Sequence, residues 1–146
     1  MQLSFMDRGM LAVTIWRENR GGGRTGMQSV VNVILNTCEK RGHSVYAECT
    51  APERYSSVTV HSDPETTLYG AESDASWQLA VSLAGDAENL EDITGGATLY
   101  YAPAGIAHEK KITLPDGSEE WFPPGWDPAR VQFTARIASQ IFFREI

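Results

Sequence analysis

One acidic residue, Glu18, lies where it could transfer a proton to a leaving group. Leu11, Ile15 and Glu18 follow helical spacing, so they share a face of the helix that we predict over residues 9–19. The helix dipole opposes a carboxylate in the last turn, and apolar neighbours disfavour its charged form. Both effects favour the protonated carboxyl that a general acid needs. The alternative is a surface ion pair between Glu18 and one of the arginines that flank it.

The cysteines and histidines offer other routes to chemistry. Cys38 falls on the apolar face of a predicted helix, which favours a buried free thiol, although a bridge to Cys49 is also open. A Cys–His peptidase built on Cys49 is a further alternative. The histidines, His43, His61 and His108, share no metal-ligand spacing with each other or with the cysteines. We therefore expect no metal and no cofactor.

Helices are predicted in the first half of the chain. Glycines 21–23 end the helix that carries Glu18, and a second helix is predicted over residues 25–39, where apolar residues recur at helical spacing. A third helix is predicted to begin after a capping residue, Ser73 or Asp74, and to end at Gly85. Its inward-facing residues are predicted to be Trp77, Ala80, Val81 and Ala84.

Short strands are predicted in the second half. They cover residues 97–101, 111–114, 119–122 and 131–137, and an apolar run at 141–143 closes the chain. The turn Pro115-Asp116-Gly117 makes a hairpin of the second and third strands. Residues 41–72 predict an irregular segment that could line a substrate site, with only residues 57–60 strand-like. Helices followed by short strands indicate an α+β class.

The composition predicts a single domain over residues 1–146. Apolar residues make up 42% of the chain and charged residues 21%, which is typical of globular proteins. The net charge of −7 opposes binding to nucleic acid, because phosphates carry the same sign. No apolar run is long enough to span a membrane, and the N-terminus has no secretion signal. We expect a soluble monomer that has no export signal of its own.

Two consecutive segments around Glu18 resemble the opening of a known enzyme family. Residues 16–21 read Trp-Arg-Glu-Asn-Arg-Gly, and residues 26–36 run from Gly-Met-Gln to Val-Ile-Leu-Asn. The SleB-type cell-wall hydrolases, which include spore-cortex-lytic enzymes and related phage lysins, have a helix that ends in Gly-Glu-Ala-Arg-Gly-Glu. A helix running from Gly-Gln to Val-Leu-Asn-Arg follows in that family. The resemblance assigns the family's catalytic acid to Glu18.

Three further segments resemble other blocks of the family, in the same order along the chain. Residues 51–57 resemble its Pro-Gly-Gln-Phe-Ser segment, residues 94–101 its Thr-Gly-Gly-Ala-Leu-Tyr-Tyr block, and residues 140–144 its closing His-Ile-Phe-Tyr. The departures from the pattern are Arg17 for a Gly, Gly22 for the second Glu, Thr37 for an Arg and Gln140 for a His. An insertion at about residues 107–126 has no counterpart in the family.

The resemblance implies a lysozyme-like α+β fold of the goose-lysozyme and lytic-transglycosylase type, with N-terminal helices followed by short antiparallel strands. The partner would be the glycan strand of peptidoglycan, cut between N-acetylmuramic acid and N-acetylglucosamine. Glu18 would protonate the glycosidic oxygen, and the 6-hydroxyl of the muramic acid would attack to give a 1,6-anhydro product. Ordinary hydrolysis would need a second carboxylate at a defined separation. The candidates for it are Glu48, Asp86, Glu91 and Asp92.

Several further residues are candidates for holding the glycan: Gln28, Ser56, Ser57, Thr94, Gly95, Gly96, Tyr100 and Tyr101. Gln28 and the serines could bond acetamido groups or Glu18, although Gln28 could equally lie on a polar helix surface. Backbone amides of the 94–96 turn could approach a sugar, or the segment is an ordinary turn. Tyr100 and Tyr101 point to opposite strand faces, so one can stack on a sugar while the other packs. Three tryptophans could stack on sugar rings or could instead pack in the core or the hairpin: Trp77, Trp121 and Trp126.

The leading hypothesis is therefore a glycan-cleaving lytic enzyme, a transglycosylase ahead of a hydrolase. Its main alternative is a degenerate relative, such as a phage structural protein, that binds wall glycan without cutting it. The missing second Glu at Gly22 and the acidic net charge support that alternative. A wall amidase or peptidase ranks third. We expect a phage or prophage lysin that acts at the host cell wall, or a protein that stays cytoplasmic until released.

Overall fold

The computed structural model describes residues 1–51, 54–55 and 69–146 of the chain. Helices come first and antiparallel strands follow, which confirms the predicted α+β class. The helices are α1 (Phe5–Asn19), α2 (Gly23–Arg41), α3 (Val45–Thr50) and α4 (Ala75–Gly85). The strands are β1 (Leu99–Tyr101), β2 (Lys110–Thr113), β3 (Glu119–Phe122), β4 (Val131–Ile137) and β5 (Gln140–Glu145). Short 3-10 helices lie at Arg20–Gly22, Ala87–Asn89, Pro103–Gly105 and Pro128–Arg130.

The helix that carries Glu18 starts earlier than the predicted residue 9. Ser4 caps it: the Ser4 hydroxyl accepts the Asp7 amide at 3.0 Å, and the Asp7 carboxylate accepts the Ser4 amide at 2.9 Å. This reciprocal pair satisfies amides that a helix N-terminus otherwise leaves without partners. The Ser4 and Asp7 spacing was the sequence signal for the start of α1. Glu18 therefore sits at the end of a helix of 15 residues.

Helix α1 ends at Asn19, as predicted, and the glycine run after it forms a tight junction with α2. The 3-10 helix Arg20–Gly22 leads directly into α2, and the side chain of Asn19 fills the space at Gly22 and Gly26. A Cβ at Gly22 would lie 2.6 Å from Asn19 Oδ1, and one at Gly26 would lie 2.7 Å from Asn19 Nδ2. The same Nδ2 donates to Gln140 Oε1 at 3.1 Å, so the junction is tied to strand β5.

Two helical predictions need correction and one is confirmed. Helix α3 falls in the predicted irregular segment; Ser44 caps it by accepting the Ala47 amide at 3.1 Å. Asp74 caps α4, as predicted. The inward placement of Val81 was wrong, because its side chain is 48% exposed and Leu83 is buried instead. The strand-like residues 57–60 lie outside the described residues.

The strands form a three-stranded antiparallel sheet and a separate two-stranded hairpin. β5 lies between β1 and β4 in an antiparallel sheet, and β2 pairs with β3 in a separate hairpin. The predicted hairpin over residues 111–122 is confirmed by the pairing of Lys111 with Trp121. β4 and β5 form a second hairpin, and the turn between them places Ala138 at a positive φ of 53°. The closing apolar run thus belongs to the central strand of the sheet.

Two apolar cores meet at the junction of helices and sheet. Residues of α1 to α4 form one core, and the strands, with Phe122 and Phe143 at the centre, form the other. Val33 of α2, Ala97 and Phe142 of β5 are buried together where the two layers touch. Among the described residues, no helix is both long and apolar enough to cross a membrane.

Candidate active site

Glu18 lines a cavity of about 320 Å³ between the helical layer and the sheet. Ligand sites in proteins start at about this size. The described residues that line it are Glu18, Val33, Arg54, Tyr55, Thr98, Leu99, Tyr100 and Trp126. Glu18 comes from the last turn of α1, and Leu99 and Tyr100 come from β1. The end of the first helix and the edge of the sheet therefore converge on one carboxylate.

Tyr100 is the residue that the structure places against Glu18. Its hydroxyl donates to Glu18 Oε2 at 3.3 Å, and its ring stacks on Phe142 with 5.6 Å between centroids. Burial, followed by the negative charge of Glu18, raises the pKa of Tyr100 well above its ordinary value. The hydroxyl of Tyr100 therefore stays protonated and can donate a hydrogen bond to Glu18.

Arg54 and Tyr55 also line the cavity. Arg54 Nε donates to Glu48 Oε1 at 2.7 Å, and His43 Nε2 lies 2.7 Å from the other oxygen of the same carboxylate. Glu48 itself is fully buried. Tyr55 is also buried, and burial raises the pKa of its hydroxyl. An ion pair with the buried Glu48 thus holds the partly exposed Arg54 side chain at the Glu18 cavity.

None of the candidates for a second carboxylate lines this cavity, so those predictions are corrected. Glu48 is buried and paired with Arg54, which leaves it no access to a substrate. Asp86 accepts a hydrogen bond within the 3-10 turn that follows it, and Asp92 accepts bonds within its own loop. Glu91 is exposed on the surface. Among the described residues that line the cavity, Glu18 is the only acid.

Comparisons with known proteins found no match for this chain: no family model, no curated protein and no solved structure matches it. The resemblance to the SleB-type hydrolases therefore depends on the sequence blocks alone. The case for a function depends on the cavity and on the side chains that line it.

The turn at residues 94–96 does not line the Glu18 cavity and has a structural role. The Asp92 carboxylate accepts the Thr94 amide at 2.8 Å, the Thr94 hydroxyl at 2.6 Å and the Gly96 amide at 3.0 Å. Gly95 and Gly96 have φ of 69° and 83°, which glycine adopts without strain. Asn36 of α2 anchors the turn, because its amide donates both to Asp92 and to the Ala97 carbonyl at 3.0 Å. The turn positions β1 and, through it, Tyr100.

Two other predicted glycan-binding residues also lie elsewhere. Gln28 Nε2 donates to the Glu91 carbonyl at 2.9 Å, so this side chain ties α2 to the loop after α4. Tyr101 points into the strand core, where its hydroxyl donates to the Trp121 carbonyl at 2.8 Å. Tyr100 is thus the tyrosine of this pair that faces the cavity. Ser56 and Ser57 lie outside the described residues.

Trp126, one of the three candidate sugar platforms, lines the cavity, and so does Arg54, which the sequence did not single out as a site residue. Trp126 lines the cavity while its ring packs edge-on against Tyr101 at 5.3 Å. It follows the Pro-Pro-Gly break after the hairpin, so only its placement in three dimensions reveals the contact. Arg54 lies in a segment whose sequence predicts no element. The other platform candidates pack instead: Trp77 contacts Trp16 at 5.7 Å, and Trp121 stacks on His108 at 4.6 Å.

The cysteines are free and buried, which rules out the bridge between Cys38 and Cys49 in this structure. Burial raises the pKa of each thiol from 9.0 to about 12. A thiol in that state is a poor nucleophile, so a peptidase built on Cys49 has no support. Within the described residues, His, Cys, Asp and Glu form no cluster of three that could hold a metal ion.

Proposed function

We propose that this protein cleaves the glycan strand of peptidoglycan, with Glu18 as the catalytic acid. The observation that carries the proposal is the carboxyl group of Glu18 in the wall of a cavity, hydrogen-bonded by the hydroxyl of the partly buried Tyr100 at 3.3 Å. The sequence blocks that resemble the SleB-type hydrolases supply the substrate class, since the chain aligns with them at the catalytic Glu. A lysozyme-like fold belongs to the same proposal.

The geometry supports a reaction with one acid. Glu18 would donate its proton to the glycosidic oxygen as the bond from that oxygen to C1 of muramic acid breaks. The 6-hydroxyl of the same sugar would then bond to C1 and return its proton to Glu18, which regenerates the acid and leaves a 1,6-anhydro ring. Tyr100 would stabilise the carboxylate formed between these steps, because a donor favours the charged form.

A single acid favours transglycosylation over hydrolysis. A hydrolase that uses two carboxylates holds them on either side of the scissile bond at a defined separation. Among the described cavity residues no second carboxylate accompanies Glu18, and the internal 6-hydroxyl makes one unnecessary. We therefore propose a lytic transglycosylase.

Gly22 favours an alternative, a wall-binding protein that does not cut. The resemblance places the family's second Glu here, but a Cβ at Gly22 would lie 2.6 Å from Asn19 Oδ1. Any side chain at this position would displace Asn19 from its bond to Gln140. The site thus departs from the family pattern in its packing as well as in its sequence.

Release of soluble fragments from purified peptidoglycan tests the proposal against this alternative. The wild-type protein is expected to release them, and Glu18→Gln is expected to be slower by about 10²- to 10⁴-fold, as for loss of a general acid. Glu39→Gln, at an exposed position on α2, is the matched control and should keep wild-type activity. Pelleting with the wall but no release by the wild-type protein would favour the binding protein.

A further inference from the structure

The Glu18 cavity is lined by a positively charged side chain that the proposed reaction does not use. Arg54 lines the cavity, and among the described residues that line it, Arg54 is the only one with positive charge. Glu18 and Arg54 both influence the hydroxyl of Tyr100: the charge of Glu18 raises the pKa of that group, and Arg54 lowers it. Glu18 and Arg54 therefore both exert their charge on the Tyr100 hydroxyl inside one cavity.

The guanidinium of Arg54 is held in a fixed orientation. Its Nε donates to Glu48 Oε1 at 2.7 Å, and Glu48 is fully buried and contacted on its other oxygen by His43 at 2.7 Å. The contact with Glu48 uses the Nε of Arg54 and not its Nη groups. An arginine anchored through Nε keeps the planar Nη pair that recognises carboxylates.

We propose that Arg54 binds a carboxylate of the substrate and so makes this cavity selective for muramic acid. This inference rests on the proposed function. Muramic acid differs from N-acetylglucosamine by a lactyl group on C3, which lies two ring positions from the C1 whose bond breaks. A cation in the same cavity as Glu18 is therefore within reach of that group while Glu18 contacts the glycosidic oxygen. A neutral N-acetylglucosamine chain offers Arg54 no charged partner.

The competing explanation is structural: Arg54 would only neutralise the buried Glu48. Removing Arg54 alone would then leave a buried carboxylate poorly compensated and could unfold the protein. The double variant Glu48→Gln/Arg54→Gln avoids this, because it removes both charges of the pair together. Arg136→Gln is the matched control, since Arg136 also donates to a carboxylate, Glu120 Oε1 at 2.8 Å, on the outer face of the hairpin.

Calorimetric titration in a Glu18→Gln background, which prevents cleavage, measures the selectivity. The probes are a denuded tetrasaccharide of alternating N-acetylglucosamine and muramic acid, and the neutral N-acetylglucosamine tetramer. The double variant is expected to bind the anionic tetrasaccharide about 10- to 100-fold more weakly, the usual effect of losing a charge-assisted hydrogen bond. Its affinity for the neutral tetramer should change by less than about 3-fold, and Arg136→Gln should change neither.

The outcomes separate this inference from the proposed function. Equal losses for the two sugars, or no loss for the anionic one, would overturn the role of Arg54 and leave the glycan-cleaving proposal standing. Failure of the Glu18→Gln protein to bind either sugar would overturn both proposals.

A peptide-bearing tetrasaccharide identifies the carboxylate. In it the lactyl carboxyl is an amide, and the remaining carboxylates belong to the stem peptide. If the double variant loses affinity for the denuded sugar alone, the carboxylate that Arg54 binds is the lactyl one. Loss with the peptide-bearing sugar as well shows that Arg54 also binds a carboxylate of the stem peptide, and either result supports an anion subsite at Arg54.

Discussion

At the residue scale, the site depends on one contact that crosses from sheet to helix. Tyr100 of β1 donates to Glu18 of α1, and its own orientation is fixed by the stack on Phe142. The contact of 3.3 Å is long for a hydroxyl donor, so its energy is at the lower end for such bonds. We infer that Tyr100 tunes Glu18 and does not replace it.

Tyr100→Phe tests this contact, because it removes the hydroxyl and keeps the stacked ring. We expect kcat/KM on peptidoglycan to fall about 3- to 10-fold, the effect of one modest hydrogen bond. Tyr46→Phe, at an exposed tyrosine of α3, should have no effect. An unchanged rate for Tyr100→Phe would mean that its hydroxyl does not assist Glu18.

The buried thiols give a second prediction at this scale. With a pKa of about 12, neither Cys38 nor Cys49 should react measurably with a disulfide reagent at pH 8 while the protein is folded. Both should react in denaturant, and Cys49→Ala should keep its lytic activity. Rapid labelling of the folded protein, or inactivation by the label, would show that a thiol is accessible and would reopen the peptidase alternative.

At the element scale, the loop between α4 and β1 determines where Tyr100 lies. Asp92 gathers the loop by accepting bonds from Asn36, Thr94 and the Gly96 amide. Partial desolvation opposes the charged carboxylate, but these hydrogen bonds outweigh it and lower the pKa of Asp92 below 3.8. The hydrogen bonds that hold the loop thus depend on the ionised carboxylate of Asp92.

Asp92→Ala should destabilise the fold by about 1–3 kcal/mol, because it leaves several donors without their acceptor. Glu91→Ala, at the exposed neighbouring position, should change the free energy of unfolding by less than about 0.5 kcal/mol. Urea denaturation monitored by circular dichroism measures both. Similar stabilities for the two variants would show that the carboxylate does not hold the loop.

The pH dependence of stability follows from the same group. The folded pKa of Asp92 lies below its ordinary value of 3.8, so its stabilising contribution is complete above that value. The contribution is lost as the pH falls through the lower, folded pKa. The stability difference between wild type and Asp92→Ala should therefore shrink below about pH 4. A difference that stays constant down to pH 2 would contradict this assignment.

Sequence patterns predicted elements better than they predicted the site. The spacing of apolar residues predicted α2, a capping residue predicted α4, and a turn sequence predicted the hairpin, because those signals are local. Helix α3 was missed because a single capping Ser44 precedes a run with no clear period. Arg54 was not assigned to the site, and Trp126 could not be distinguished from the other two platform candidates, since the positions of both residues depend on long-range packing. The 94–96 turn was proposed to bind sugar, but it does not line the Glu18 cavity, and its Thr94 and Gly96 amides donate to Asp92.

At the scale of the whole molecule, the cavity exists because two cores are joined. Phe142 of β5 is fully buried where the sheet meets α2, and Tyr100 stacks on it. Any loosening of this junction would separate Tyr100 from Glu18. Stability and activity should therefore fall together for changes at this position.

Phe142→Ala should destabilise the protein by about 3–5 kcal/mol, the cost of a buried phenylalanine, and should also reduce activity. Phe5→Ala is the control, because Phe5 is 89% exposed and should change stability by less than about 0.5 kcal/mol. Chemical denaturation of the variants measures the difference. Full activity in a folded Phe142→Ala protein would show that the junction does not support the site.

Mass spectrometry of digested peptidoglycan tests the central claim most directly. The wild-type protein is predicted to produce muropeptides with 1,6-anhydro ends, and Glu18→Gln is predicted to produce none while it still pellets with the wall. Reducing ends in place of anhydro ends would contradict the single-acid reaction. Intact glycan after wild-type treatment, or identical products from Glu18→Gln, would contradict the assignment of Glu18 as the catalytic acid.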